Sequence, residues 1–196
     1  MRDFLSRLGC TRSFLGLFFV ALLTTLSSAQ GQPTAFDLSG KPLNPLTASK
    51  GKSIVLIFVR KDCPISSRYA PTIQQLSARY RSDAQFFLVF PDKAESPTEI
   101  RKYMHDFAYT LPALRDPGHA LVKLGHAHVT PEAAVFDARG GLVYHGRIDN
   151  LYEDIARARP QATTHELDSA LQSAIHGTPL LARETDAVGC YISDLP

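Results

Sequence analysis

Residues 52–80 read KSIVLIFVRKDCPISSRYAPTIQQLSARY. From Ser53 to Val59 the run is apolar, rich in β-branched and aromatic side chains, and too short for a typical helix. Such a run reads as a strand buried on both faces, which places it in the middle of a sheet. Beyond Pro64 the period changes: Tyr69, Ile73, Leu76 and Tyr80 recur at three- and four-residue intervals, the spacing of one helix face. The strand therefore delivers Cys63 to the first turn of a helix. The unpaired N–H groups and partial positive charge there favour an anion, and the thiolate is the form of cysteine that attacks disulfides, peroxides and metals. Pro64 suits the first helical position, and Lys61 and Arg68 add positive charge nearby. Cys63 is on these grounds a candidate nucleophile; the alternative is a small buried side chain that fills space.

Two motifs resemble the thioredoxin-like superfamily. Cys63-Pro64-Ile65-Ser66 occupies the place of that family's Cys-x-x-Cys, and Pro71 follows at the interval of its helix-kinking proline. Val129-Thr130-Pro131-Glu132, then a strand Ala133 to Phe136, a turn Asp137 to Gly141 and a strand Leu142 to His145, is similar to its cis-proline loop and terminal hairpin. The resemblance implies an α/β fold with a central mixed β-sheet flanked by helices, over most of residues 36–176. It also implies that Pro131 is cis and lines a substrate groove beside Cys63. The stretch Tyr144 to Asn150, the helix start at Thr163 and the Val188-Gly189-Cys190 ending further resemble exported bacterial redoxins of the alkyl hydroperoxide reductase and thiol-specific antioxidant type. Those pair a Cys-Pro-Ile-Ser site with a late Gly-Cys.

The first 29 residues read as an address. Arg2, Arg7 and Arg12 precede an apolar core from Phe14 to Leu26, and Ser27-Ser28-Ala29 offers small residues for cleavage. A span needs about 20 apolar residues, more than this core supplies, so an uncleaved anchor is the alternative and the leader is the one expected membrane contact. The expected organisation is a signal peptide at 1–29, a redoxin domain at 30–176 and a tail at 177–196, exported to a bacterial periplasm or beyond. Cys10 is expected to leave with the leader. The whole chain carries a formal charge of +2, and the three arginines of the leader, less Asp3, account for that excess. A near-neutral remainder of about 165 residues suits one domain and gives no footprint for nucleic acid.

Further elements follow in order. Phe36 to Leu38 suggests a short edge strand, Ala84 to Phe90 a second buried strand parallel to the first, and Ser96 to Phe107 a helix with Ser96 and Glu99 at capping-box spacing. Tyr109 to Leu114 reads as extended, Asp116 opens a helix that Gly125 ends, and Thr164 caps a last helix through Ile175. Gly140-Gly141 is a hairpin turn. Asp149, Glu153 and Asp154 read as a solvated helix start, with Arg157, Arg159 and Arg183 as a locally basic surface. The tail is the other informative stretch: Val188, Cys190, Tyr191 and Ile192 gain little at a surface, so the segment is expected to dock on the domain.

The chemistry left open has four forms. In thiol–disulfide exchange Cys63 attacks a protein disulfide and Cys190 resolves the mixed disulfide, because Ser66 stands where the family's resolving cysteine is found. In peroxide reduction Cys63 forms a sulfenic acid that Cys190 condenses with; the family's threonine three residues before the cysteine is here Arg60. In metal handling Cys63, Cys190 and His126 or His128 hold Cu(I). In the fourth, a permanent Cys63–Cys190 bridge staples a non-catalytic domain. The first is the preferred expectation, with Cys63, Cys190, Pro131, Arg60 and Arg68 as site residues, Lys61 or Arg115 as further cations, an external thiol as electron donor, and no cofactor or metal.

Overall fold

The computed structural model describes residues 34–48, 51–193 and 195; the leader and Cys10 lie outside them. The elements are β1 (Ala35–Asp37), β2 (Pro42–Leu43), α1 (Pro45–Ala48), β3 (Ser53–Phe58), α2 (Pro64–Arg68), α3 (Ala70–Arg79), β4 (Ala84–Phe90), α4 (Pro97–Asp106) and β5 (Ala113–Arg115). They continue as α5 (Ala120–Gly125), β6 (Val129–Thr130), β7 (Glu132–Phe136), β8 (Leu142–Gly146), β9 (Tyr152–Asp154), β10 (Arg157–Ala158), α6 (Glu166–His176) and β11 (Cys190–Tyr191). Seven strands form one mixed sheet in the order β2-β1-β5-β4-β3-β7-β8. β3, β4 and β5 run parallel, and β7 runs antiparallel to β3. Among the described residues no helix is long and apolar enough to cross a membrane.

β3 is central because every one of its residues is buried. Successive side chains point to opposite faces. Val55, Ile57 and Val59 join a core with α3, α4 and α6, while Ile54, Leu56 and Phe58 join the other core with α5. Tyr69, in helical conformation (φ −82°, ψ −3°), marks the break between α2 and α3, and Pro71 in the first turn of α3 has no N–H to carry the ladder across it. The capping box of α4 is closed in both directions between Ser96 and Glu99. Asp116 receives the N–H groups of Ala120, Leu121 and Val122 at 2.8–2.9 Å, which satisfies the start of α5 from outside the helix.

Four local expectations are corrected. Phe36 belongs to β1, which is not the edge: β2 pairs outside it, and Pro42, which has no N–H to donate, sits on that outermost strand. Gly125 does not end α5 but packs within it, since a Cβ there would lie 2.9 Å from Phe58 Cζ; the helix ends at His126, whose φ is +54°. Thr164 does not cap α6; His165 holds the cap position and the Thr164 hydroxyl donates to Glu166 Oε1 at 2.6 Å. Asp149, Glu153 and Asp154 do not open a helix. Glu153 and Asp154 lie on the β9–β10 hairpin and pair with Arg157 and Arg159, whereas Asp149 turns inward to accept from the Tyr69 hydroxyl at 2.6 Å.

The tail docks. His145 N–H donates to the Arg183 carbonyl and Thr185 N–H to the His145 carbonyl. β11 then pairs antiparallel with β6, Cys190 opposite Thr130, and Ile192 is buried in the second core. The tail is therefore held on both sides of Cys190.

Candidate active site

The first turn of α2 and the loop before β7 meet at Cys63. Cys63 is the N-cap residue of α2, in extended conformation with Pro64 after it. The Thr130–Pro131 peptide is cis. The Glu132 carboxylate holds that loop by accepting from His128 N–H at 2.7 Å and Val129 N–H at 3.1 Å. Burial raises the Glu132 carboxyl against those two donors. Pro131 thus lies, buried, beside Cys63, whose thiol donates to the Thr130 carbonyl at 3.0 Å.

β11 brings in the second sulfur. The Cys190 and Cys63 sulfurs lie 2.7 Å apart, and both cysteines are free. The approach depends on Gly189: a Cβ there would lie 2.6 Å from the Thr130 carbonyl carbon and 3.2 Å from Pro131 N, and would overlap the Thr130 oxygen. Thr130 Oγ1 completes the contact by donating to the Cys190 carbonyl at 3.3 Å. Upstream, Gly146 (φ +138°) does the same for Thr185, where any side chain would strike the threonine backbone.

The two thiols are driven apart in acidity. Burial pushes Cys63 up, but the Cys190 thiol, the Ser66 N–H and hydroxyl and the Cys190 N–H all donate to its sulfur, and the net shift is downward. Burial pushes Cys190 up, and the Cys63 sulfur it donates to, with the charge on it, carries it to about 11. Two of these three causes depend on Cys63 being an anion. They vanish when Cys63 is consumed.

The cations expected to tune Cys63 sit elsewhere in the network. Arg60 pairs with Asp92 at 3.0 Å and acts on Cys190, whose thiol it pulls downward. Lys61 turns to Asp62 and Glu99, Arg115 to the Glu95 and Lys93 carbonyls, and Arg68 is exposed. Ser66, read from sequence as a missing cysteine, is instead a donor to Cys63; its Oγ accepts from Arg60 N–H at 3.4 Å, leaving its proton for the sulfur. His126 stacks on His145 with ring centroids 5.2 Å apart, and among the described residues no group of three or more His, Cys, Asp or Glu side chains is arranged to hold a metal.

Glu95 carried no signal in the sequence, yet it is 2% exposed beside the site. Its Oε1 accepts from Lys61 N–H at 2.8 Å, and its Oε2 is buried without a partner, as are the hydroxyls of Tyr103 and Tyr109. Burial pushes Glu95 up to about 7, the Lys61 N–H opposing and Asp92 adding to the rise. An unfolded glutamate titrates near about 4.3, so the native state holds this proton more tightly. The sign follows: its stabilising contribution is complete below pH ~4.3 and is lost as pH rises through about 7. Glu95→Gln keeps the acceptor for Lys61 and removes the titration. Its stability relative to the parent should rise between pH 4 and pH 8 by on the order of 3 kcal/mol in denaturant melts; an offset that does not change with pH contradicts a protonated Glu95.

A sheet of this order, with a cis-proline loop facing a cysteine at a helix start, defines a thioredoxin-like fold. The profile of the AhpC/TSA family matches residues 30–145, and the chain belongs to that family. No curated protein matches it. Among solved structures it is similar to an uncharacterized conserved protein from Geobacillus kaustophilus, with a TM-score of 0.66 and 21% identity over 84% of this chain and 91% of that one. A hypothetical protein from Sinorhizobium meliloti 1021 gives 0.67 and 19% over 81% and 88%. A secreted disulfide oxidoreductase from Mycobacterium tuberculosis gives 0.53 and 19% over 72% and 96%.

Proposed function

We propose that the chain is an exported thiol–disulfide oxidoreductase in which Cys63 is the nucleophile and Cys190 the resolving thiol. The observation that carries this reading is the 2.7 Å contact between a lowered Cys63 thiol and a Cys190 thiol held at about 11. The Cys63 thiolate attacks one sulfur of a substrate disulfide, and the other sulfur leaves as thiolate. With the charge on Cys63 gone, Cys190 becomes easier to deprotonate. It then attacks the Cys63 sulfur, releases the substrate as a thiol and leaves a Cys63–Cys190 disulfide. An external thiol returns the pair to the reduced form. Pro131 shapes the groove beside the sulfur, and Arg60, paired with Asp92, eases deprotonation of Cys190. Export is supported by the basic and apolar pattern of residues 1–29 and by likeness to a secreted oxidoreductase.

Peroxide reduction is a second reading, favoured by the family and by the 1% exposure of Cys63, which admits a small oxidant more readily than a protein disulfide. Both readings end in the same bridge. The test is the thiol count of the Cys10→Ser protein by alkylation and intact mass, before and after oxidant and then mild reductant. A bridge that forms and reopens is expected, and the faster of a model disulfide and hydrogen peroxide identifies the oxidant class. Two thiols that stay free through oxidation exclude the cycle.

A further inference from the structure

One short strand lies between the segments that carry the two sulfurs. The Thr130 carbonyl of β6 accepts from the Cys63 thiol at 3.0 Å, and β6 pairs with β11 so that Cys190 stands opposite Thr130. Just before β6, the His128 carbonyl accepts from Ile192 N–H at 2.9 Å. The placement of His128 to Thr130 therefore sets how closely Cys190 meets Cys63. β6 and β11 are two residues each and stand apart from the seven-stranded sheet, and so small a pair does not hold its own position. Glu132 supplies the anchor. Its backbone opens β7 opposite Phe58, the last residue of the strand that leads to Cys63. Its side chain, 4% exposed, reaches back across Pro131, and one oxygen, Oε2, accepts from both His128 N–H and Val129 N–H.

Resting on the redox-pair reading above, we propose that Glu132 is a positioning residue for disulfide formation, tying β6 to the main sheet so that Cys190 is held against Cys63. It acts through β6, and by reach rather than by charge. Because both donors meet one oxygen, an amide carbonyl in the same place satisfies them, whereas a carboxylate one methylene shorter does not. In the step it serves, Cys190 gives its proton to water and its thiolate attacks the Cys63 sulfur of the mixed disulfide. The Cys63–Cys190 bond forms, the bond to the substrate sulfur breaks, and that sulfur leaves with the electron pair. Such an attack demands alignment, and a displacement of about 1 Å costs about a hundred-fold in rate.

Two variants separate reach from charge: Glu132→Gln keeps the first and loses the second, and Glu132→Asp does the reverse. Each, in the Cys10→Ser background, is mixed in a stopped-flow cell with one equivalent of the chromogenic disulfide dithionitrobenzoate. A first release of thionitrobenzoate reports attack by Cys63, and a second, independent of reagent concentration, reports closure of the Cys63–Cys190 bridge. Glu132→Gln is expected to close within about two-fold of the parent, and Glu132→Asp to close at least about ten-fold more slowly, with the first release within a few-fold in both. Parent-like closure in Glu132→Asp overturns the proposal. So does closure slowed as much in Glu132→Gln, which would mean that the charge matters. A Glu132→Asp protein that loses its circular dichroism spectrum, or in which both releases change together, assigns the residue to general stability and overturns it as well. Failure of the underlying reading looks different: the parent itself then keeps thionitrobenzoate on Cys63 by intact mass and shows no second release.

Discussion

Replacing Cys190 with alanine is expected to halt the reaction after its first step, leaving Cys63 locked in a mixed disulfide with the substrate. On the proposed cycle the parent resolves that species from within, by a sulfur already in contact at 2.7 Å. Well-oriented intramolecular groups act at effective molarities of about 10⁵ M or more, so an external thiol at millimolar concentration replaces the lost step only with a slowing of several orders of magnitude. The same change removes the Cys190 thiol from the donors that lower Cys63. The pH midpoint of Cys63 alkylation should therefore rise. Mass spectrometry in a Cys10→Ser background reads the first effect and a maleimide pH profile the second. Rapid, uncatalysed release of substrate from the variant would falsify the resolving role.

A larger structural effect is expected from Gly189→Val. The atoms that a Cβ would meet are the backbone of Thr130 and Pro131, which have no rotamer with which to yield, so the tail must lift. Lifting it costs the β11–β6 pairing, the Thr130–Cys190 hydrogen bond and the burial of Ile192. Burial of one such side chain contributes about 2 kcal/mol and each hydrogen bond about 1 kcal/mol, enough to unseat the segment without unfolding the sheet. Cys190 then reaches Cys63 only from a flexible arm, at an effective concentration of about millimolar, and bridge formation should slow by at least about a hundred-fold. Leu181→Ala, at an exposed position in the same tail, should leave the rate unchanged. Parent-like bridging in Gly189→Val would show that the close backbone approach is not what brings the sulfurs together.

Several features were legible because they are local. The buried run of β3, the change of period after Pro64 and the Ser96–Glu99 box each lie within a few residues, where side-chain spacing and capping chemistry act directly. The errors came where a distant neighbour overrode a local rule. Gly125 reads as a stop signal, but Phe58 and Ala134 need its missing Cβ. Glu153 and Asp154 read as a helix start, but Arg157 and Arg159 lie across a hairpin from them. Glu95 could not be found at all, because burial of a charged residue type has no sequence pattern.

The sequence by itself determined a strand that hands a cysteine to a helix, a cis-proline loop expected by resemblance, and a tail too apolar to stay in solvent. The strand and the tail follow from composition and period over short range, the loop from the resemblance alone. Tertiary structure alone decided that Cys190, 127 residues along the chain, arrives at Cys63 rather than elsewhere on the surface. It also decided that Cys190 and Ser66, and not a cation, lower the Cys63 thiol, and which of the two sulfurs faces outward. Those outcomes depend on how two glycines let one backbone lie against another, and such contacts between remote segments leave no periodic trace in either of them.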